Sequence, residues 1–159
     1  AYAGTAKPAT TAIDASANLG TTSQAKPSDQ TYSSQTTTQN DSDLNETIVS
    51  GATYLITGSL YITSNATPDF KFDFGGGSAT ISAFRGWWRD TGGVGTEIAS
   101  ATTAQPFISS SWPERWLEFS LRVTFSSSGT FRLRHAQNTS NAATTGLRAG
   151  SWWNLRRVL

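Results

Sequence analysis

From about residue 47 onward, apolar and polar side chains alternate with a period of two, the spacing of a strand with one buried face. In residues 54–63, Tyr54, Ile56, Leu60 and Ile62 alternate with Leu55, Thr57, Ser59 and Tyr61. Residues 70–74 place three Phe on one face and charges on the other, and each buried Phe contributes roughly 1.5–3 kcal/mol. Residues 117–125 turn Leu117, Phe119, Leu121, Val123 and Phe125 inward, with Glu118, Ser120, Arg122 and Thr124 outward. A Ser-Ser-Ser-Gly turn at 126–129 follows, and residues 130–137 resume the alternation with Phe131 and Leu133 inward. This pair reads as a β-hairpin. Further strands are expected over 80–88 and 151–158. No window of 12 residues or more carries a capped 3.6-residue period. Short strands joined by Gly/Ser/Thr turns predict an all-β chain, an antiparallel sandwich or jelly roll.

The first 50 residues have another character. Thr, Ser, Asn and Gln make up 24 of them, too polar for the early part to offset its own ordering entropy. Two Ala-Lys-Pro sequences, ending at Pro8 and Pro27, punctuate this stretch. The expected division is an extended arm over 1–23 and a sandwich domain over 24–159. Ala1 stands where removal of an initiator Met, the favoured reading, or cleavage of an export signal would leave it. Charge is also split: residues 1–80 hold three Lys against seven acids, and residues 81–159 hold nine Arg against four acids. Arginine suits bidentate carboxylate contacts and stacking on aromatic rings.

Most chemistry is excluded early. The chain has no Cys and one His, a net charge of +1, and no apolar run near the roughly 20 residues that span a bilayer. Neither nucleic acid nor membrane is an expected partner, and no cofactor is expected. His135 reads as a structural strand residue, because no nucleophile elbow accompanies it. Asp69 and Asp73 read as solvent-face residues. Asp41, Asp43 and Asn45 imitate the start of a calcium loop, which then fails at Glu46 and Ala52. Gly75, Gly76 and Gly77 make a turn rather than a phosphate loop, since no Lys follows. The sequons at Asn40, Asn45, Asn65 and Asn138 are expected by chance in so Thr-rich a chain. No enzyme is expected.

The tryptophans are the informative residues. They fall as Trp87–Trp88, Trp112 and Trp116, and Trp152–Trp153. Neighbours on a strand point to opposite faces, so each pair places one ring in the core and one outside. An outward Trp flanked by Arg85, Arg89, Arg156 or Arg157 suits a subunit interface. It also suits stacking on a sugar ring, with Trp112 and Trp116 of loop 106–116 as the platform. Simple cover for the ends of the sandwich is the third reading, and all three stay open.

The run from Gly129 to Ser140 (GTFRLRHAQNTS) and the stretch from Ala143 to Trp152 (ATTGLRAGSW) resemble the C-terminal region of jelly-roll structural proteins of tailed bacteriophages. Residues 36–44 and 69–74 add to the likeness, which spans roughly 26–159. It departs at His135, where an aromatic is expected. The resemblance implies a tumour-necrosis-factor-like jelly roll, usually a homotrimer, in a virion assembled in the bacterial cytoplasm. Its implied role is capsid decoration (cement), with the major capsid protein as partner. The alternative is a tail-fibre module that binds a receptor or host glycan. The lack of Cys suits assembly in a reducing compartment.

Overall fold

The computed structural model describes residues 20–64, 69–75, 77–91, 93, 95–107 and 114–158. Residues 1–19 of the expected arm, Asn65, Gly76 and Trp112 lie outside the described residues. Twelve strands are formed among the described residues: β1 (Thr21–Ala25), β2 (Gln30–Tyr32), β3 (Gln39–Ile48), β4 (Thr53–Thr63), β5 (Phe70–Gly75) and β6 (Ile81–Asp90) come first. They are followed by β7 (Gly95–Ile98), β8 (Gln105–Phe107), β9 (Glu114–Phe125), β10 (Gly129–Gln137), β11 (Thr145–Leu147) and β12 (Trp152–Arg157). The protein is an all-β sandwich of two antiparallel sheets. The larger runs β1-β12-β4-β9-β6-β7, with β11 also pairing β4 and β2 pairing β11, and the smaller runs β3-β10-β5-β8.

The alternation dictates the core. From the larger sheet, Ile56, Leu60, Ile62, Leu117, Phe119, Leu121, Val123, Trp153 and Leu155 are buried; the smaller sheet meets them with Leu44, Ile48, Phe70, Phe72, Phe74, Phe131 and Leu133. Rings interleave between the layers. Phe74 lies 5.2 Å from Phe119, and Phe131 stacks on Trp153 at 5.9 Å and 6°. Gly58 makes room for this, because a Cβ there would stand 2.4 Å from the Phe119 ring. No helix among the described residues is long and apolar enough to cross a membrane.

Three expectations are corrected. Strands β9 and β10 do not form a hairpin: β9 pairs with β4 and β6, while β10 pairs with β3 and β5. Alternation fixes which face of a strand is buried, not which strand lies beside it. The 126–128 link instead carries the chain from one layer to the other, and Phe125 and Phe131 meet edge-to-face at 5.3 Å across the crossing. Gly129 completes the crossing at φ +154, where a Cβ would come within 2.4 Å of the Ala79 nitrogen. Asp73 is not a solvent-face residue but only 3% exposed, held by Arg134 Nε at 2.5 Å and the Thr38 hydroxyl at 2.9 Å. Finally, Thr21–Ser23 belong to the sheet, pairing with Arg156, Leu155 and Asn154, so regular structure starts two residues before the expected end of the arm.

Candidate functional site

The tryptophan pairs divide as strand geometry requires. Trp88 is 9% exposed and Trp153 fully buried, whereas Trp87 is 45% and Trp152 37% exposed. Trp88 and Trp153 are therefore core residues. Trp116 is 40% exposed and lies within β9, not in a loop. The exposed rings of Trp87, Trp116 and Trp152 all stand on the outer face of the larger sheet. Arg85, Arg89 and Arg156 share that face and are exposed, while Arg157 follows the inward parity of Trp153 and Leu155 and is half-buried.

Cross-strand register sorts this face into two patches. In the first, Tyr61 of β4 opposes Trp116 of β9, and the rings stack at 4.6 Å and 10°. Trp152 of β12 opposes Ser59, which makes it the diagonal neighbour of Tyr61, within reach of a large ring. Ion pairs surround these aromatics. Arg148 meets Glu114 at 2.7 Å and Asp29 at 2.9 Å, and Arg89 meets Glu118 at 2.6 Å. The Tyr61 hydroxyl donates to Glu114. These pairs are half exposed and add little stability; what they do is fix the edge of the aromatic surface.

The second patch lies about 20 Å further along β9, where Arg122 is six residues from Trp116. Arg156 opposes Leu55, Leu55 opposes Arg122, and Arg122 opposes Arg85. Three arginines thus occupy one row across β12, β4, β9 and β6. None of them forms an ion pair among the described residues. Beside the row, Leu55, Arg85, Trp87, Glu97, Ser120 and Arg122 line a shallow depression of about 430 Å³. Arg89 lies 5.9 Å from the Trp87 ring centroid, within cation–π range.

Comparison of the chain with family models, curated proteins and solved structures gives no match. The face has to be read from its own chemistry.

A buried ionic cluster, unforeseen from the sequence, lies elsewhere. Lys26 Nζ sits 2.9 Å from Asp41 Oδ2 and 2.8 Å from Asp43 Oδ2, with Lys26 3%, Asp41 2% and His135 0% exposed. Burial opposes the Asp41 charge. Contacts from His135, Lys26 and the Leu44 and Asp43 N–H groups outweigh it and hold the carboxyl well below its usual range. His135 Nε2 is 3.3 Å from Asp41 Oδ2, but neither ring nitrogen completes a well-aligned hydrogen bond. The Asp41/Asp43 pair that imitates a calcium loop therefore holds an ammonium group. No cluster of three or more potential metal ligands occurs among the described residues. His135 is sealed from any substrate, in keeping with a structural role. Another surface depression, of about 530 Å³, is lined by Gly, Ala, Ser, Thr, Ile81 and Phe84 from residues 75–84 and 99–102, with no titratable group among them.

Proposed function

We propose that this protein is a non-enzymatic virion component, a phage capsid decoration protein that forms a homotrimer and stabilises the shell. The observation that carries this reading is the Trp152–Tyr61–Trp116 patch with its frame of ion pairs. An aromatic centre inside a polar rim is the anatomy of a protein–protein contact, and Trp and Arg dominate the binding energy of such contacts. Among the described residues the outer face of the smaller sheet offers no equivalent, since the charged Lys71, Arg132 and Arg134 lie along it. A jelly roll of the tumour-necrosis-factor type is the finer topology we propose, supported by antiparallel pairing throughout and by repeated crossings between the layers. Residues 1–19 would strap the trimer to the major capsid protein. Binding only the assembled shell then stabilises that state by mass action.

Light scattering of the full chain tests the oligomer, with an expected mass of three times 17.0 kDa. Trp116→Ser combined with Trp152→Ser should lower that mass to one chain without lowering secondary-structure content. A wild-type monomer would overturn self-association. A trimer that survives both substitutions would move the contact elsewhere. The tail-fibre or glycan-binding alternative is favoured by a different feature, the depression beside Trp87.

A further inference from the structure

Arg85 and Arg122 stand directly opposite one another on adjacent strands, both exposed. Like charges in that position destabilise a sheet, and Arg156 extends the row across Leu55. Elsewhere the arginines with resolved ion pairs all have a carboxylate in reach: Arg89 with Glu118, Arg115 with Asp90, Arg134 with Asp73, Arg148 with Asp29 and Glu114. Among the described residues the fold thus supplies anions to four guanidinium groups, while the row of three, like Arg132 on the other sheet, has none. An external anion would remove the repulsion and accept several N–H donors from two planar forks, the arrangement that favours a carboxylate.

The surroundings narrow the ligand further. The indole of Trp87 is nearly half exposed and borders the same depression as Arg85 and Arg122, offering a flat apolar surface for the C–H face of a sugar ring. Glu97 opposes Trp87 on β7 and is exposed. It and Ser120 present oxygen acceptors to sugar hydroxyl groups. Glu97 also repels a second negative charge, which disfavours nucleic acid and polyphosphate and suits one carboxylate per ring. An acidic peptide would find the guanidinium groups but gain nothing from Glu97.

We infer that the Arg85–Arg122 pair, with Trp87, Glu97 and Ser120, forms a binding site for a carboxylate-bearing pyranose of an acidic surface polysaccharide. The carboxylate lies against the two guanidinium groups and the ring against the indole. The site lies further along the same sheet face than the aromatic patch proposed to mediate assembly, with Arg122 six residues from Trp116 on β9. It goes beyond the assembly reading and does not require it.

Calorimetric titration of the full chain with tetragalacturonate at low salt tests the site. Saturable binding is expected, weakened at least about tenfold by Arg122→Ser and by Trp87→Ala. Lys71→Ser on the opposite sheet should change it little, and neutral maltotetraose should not bind. Arg122→Ser should melt no lower than the wild type, because it removes a like-charge opposition. Absence of tetragalacturonate binding, or binding that survives Arg122→Ser, would overturn the assignment. So would equal binding of poly-glutamate with no effect of Trp87→Ala, which would mark the row as a landing site for acidic protein. The light-scattering mass is read separately, so failure of the site and failure of trimerisation are distinguishable.

Discussion

His135 is the chain's one imidazole and is wholly buried among Asp41, Tyr32 and Phe70. Burial disfavours its charged form, and the nearby Lys26 ammonium adds to this; Asp41 opposes them without prevailing, so the pKa falls below 6.5. The folded state therefore keeps the ring neutral at pH values where the unfolded chain takes up a proton. Stability is fully present above pH 6.5 and declines as pH falls toward the folded value, by up to about 1.4 kcal/mol per pH unit. Asp73 works in the opposite sense at the acidic end, since burial pushes its carboxyl up despite Arg134 and Thr38. Comparison with a variant separates the two. Thermal melting between pH 7.5 and 5 should show a fall in Tm for the wild type and a shallower one for His135→Phe. Parallel slopes would exclude His135 as the source.

At the scale of elements, Lys26 ties the link after β1 to β3. Its backbone N–H donates to Ser151 at 2.8 Å, and its carbonyl accepts from Gly150 at 3.0 Å, while its side chain reaches Asp41 and Asp43. Breaking a buried ion pair by removing one partner leaves an uncompensated charge and costs about 3–5 kcal/mol, whereas an apolar replacement of both is far milder. Denaturant unfolding should therefore find Lys26→Met strongly destabilised and Lys26→Met/Asp41→Leu closer to the wild type. Additive losses would mean that the two residues act separately. This cluster also marks the limit of what patterning reveals. The faces of β4, β5, β9 and β10 were legible because period-two alternation follows directly from the pleat, and so was the rule that each Trp pair has one ring in and one out, though not which ring. Lateral order was not. Whether β10 lies beside β9 or β3, whether Asp41 reaches Lys26, and whether Arg85 opposes Arg122 all depend on long-range register. A single strand's periodicity does not contain that information. Arg122 was visible as an outward strand residue, yet nothing local distinguished it from any other exposed charge.

For the whole molecule, the proposed role turns on a division of labour between the sandwich and the residues before it. Residues 1–19 carry one Lys, one Asp and scattered apolar side chains such as Tyr2, Ile13 and Leu19. Fully extended, a stretch of that length spans at most about 60 Å, enough to cross a neighbouring subunit. The truncation that tests the strap must respect β1. Removal of residues 1–23 would also strip the pairing of Thr21–Ser23 with β12, confounding loss of contact with loss of sheet. Removal of 1–19 leaves β1 whole. On the proposed capsid role, the shorter protein should keep the wild-type melting temperature and oligomer mass while binding empty capsid shells at least about tenfold more weakly in co-sedimentation. A segment that orders on binding covers surface at an entropic cost, so its loss should appear mainly as faster release from the shell. Unchanged shell affinity would place the capsid contact on the sandwich itself.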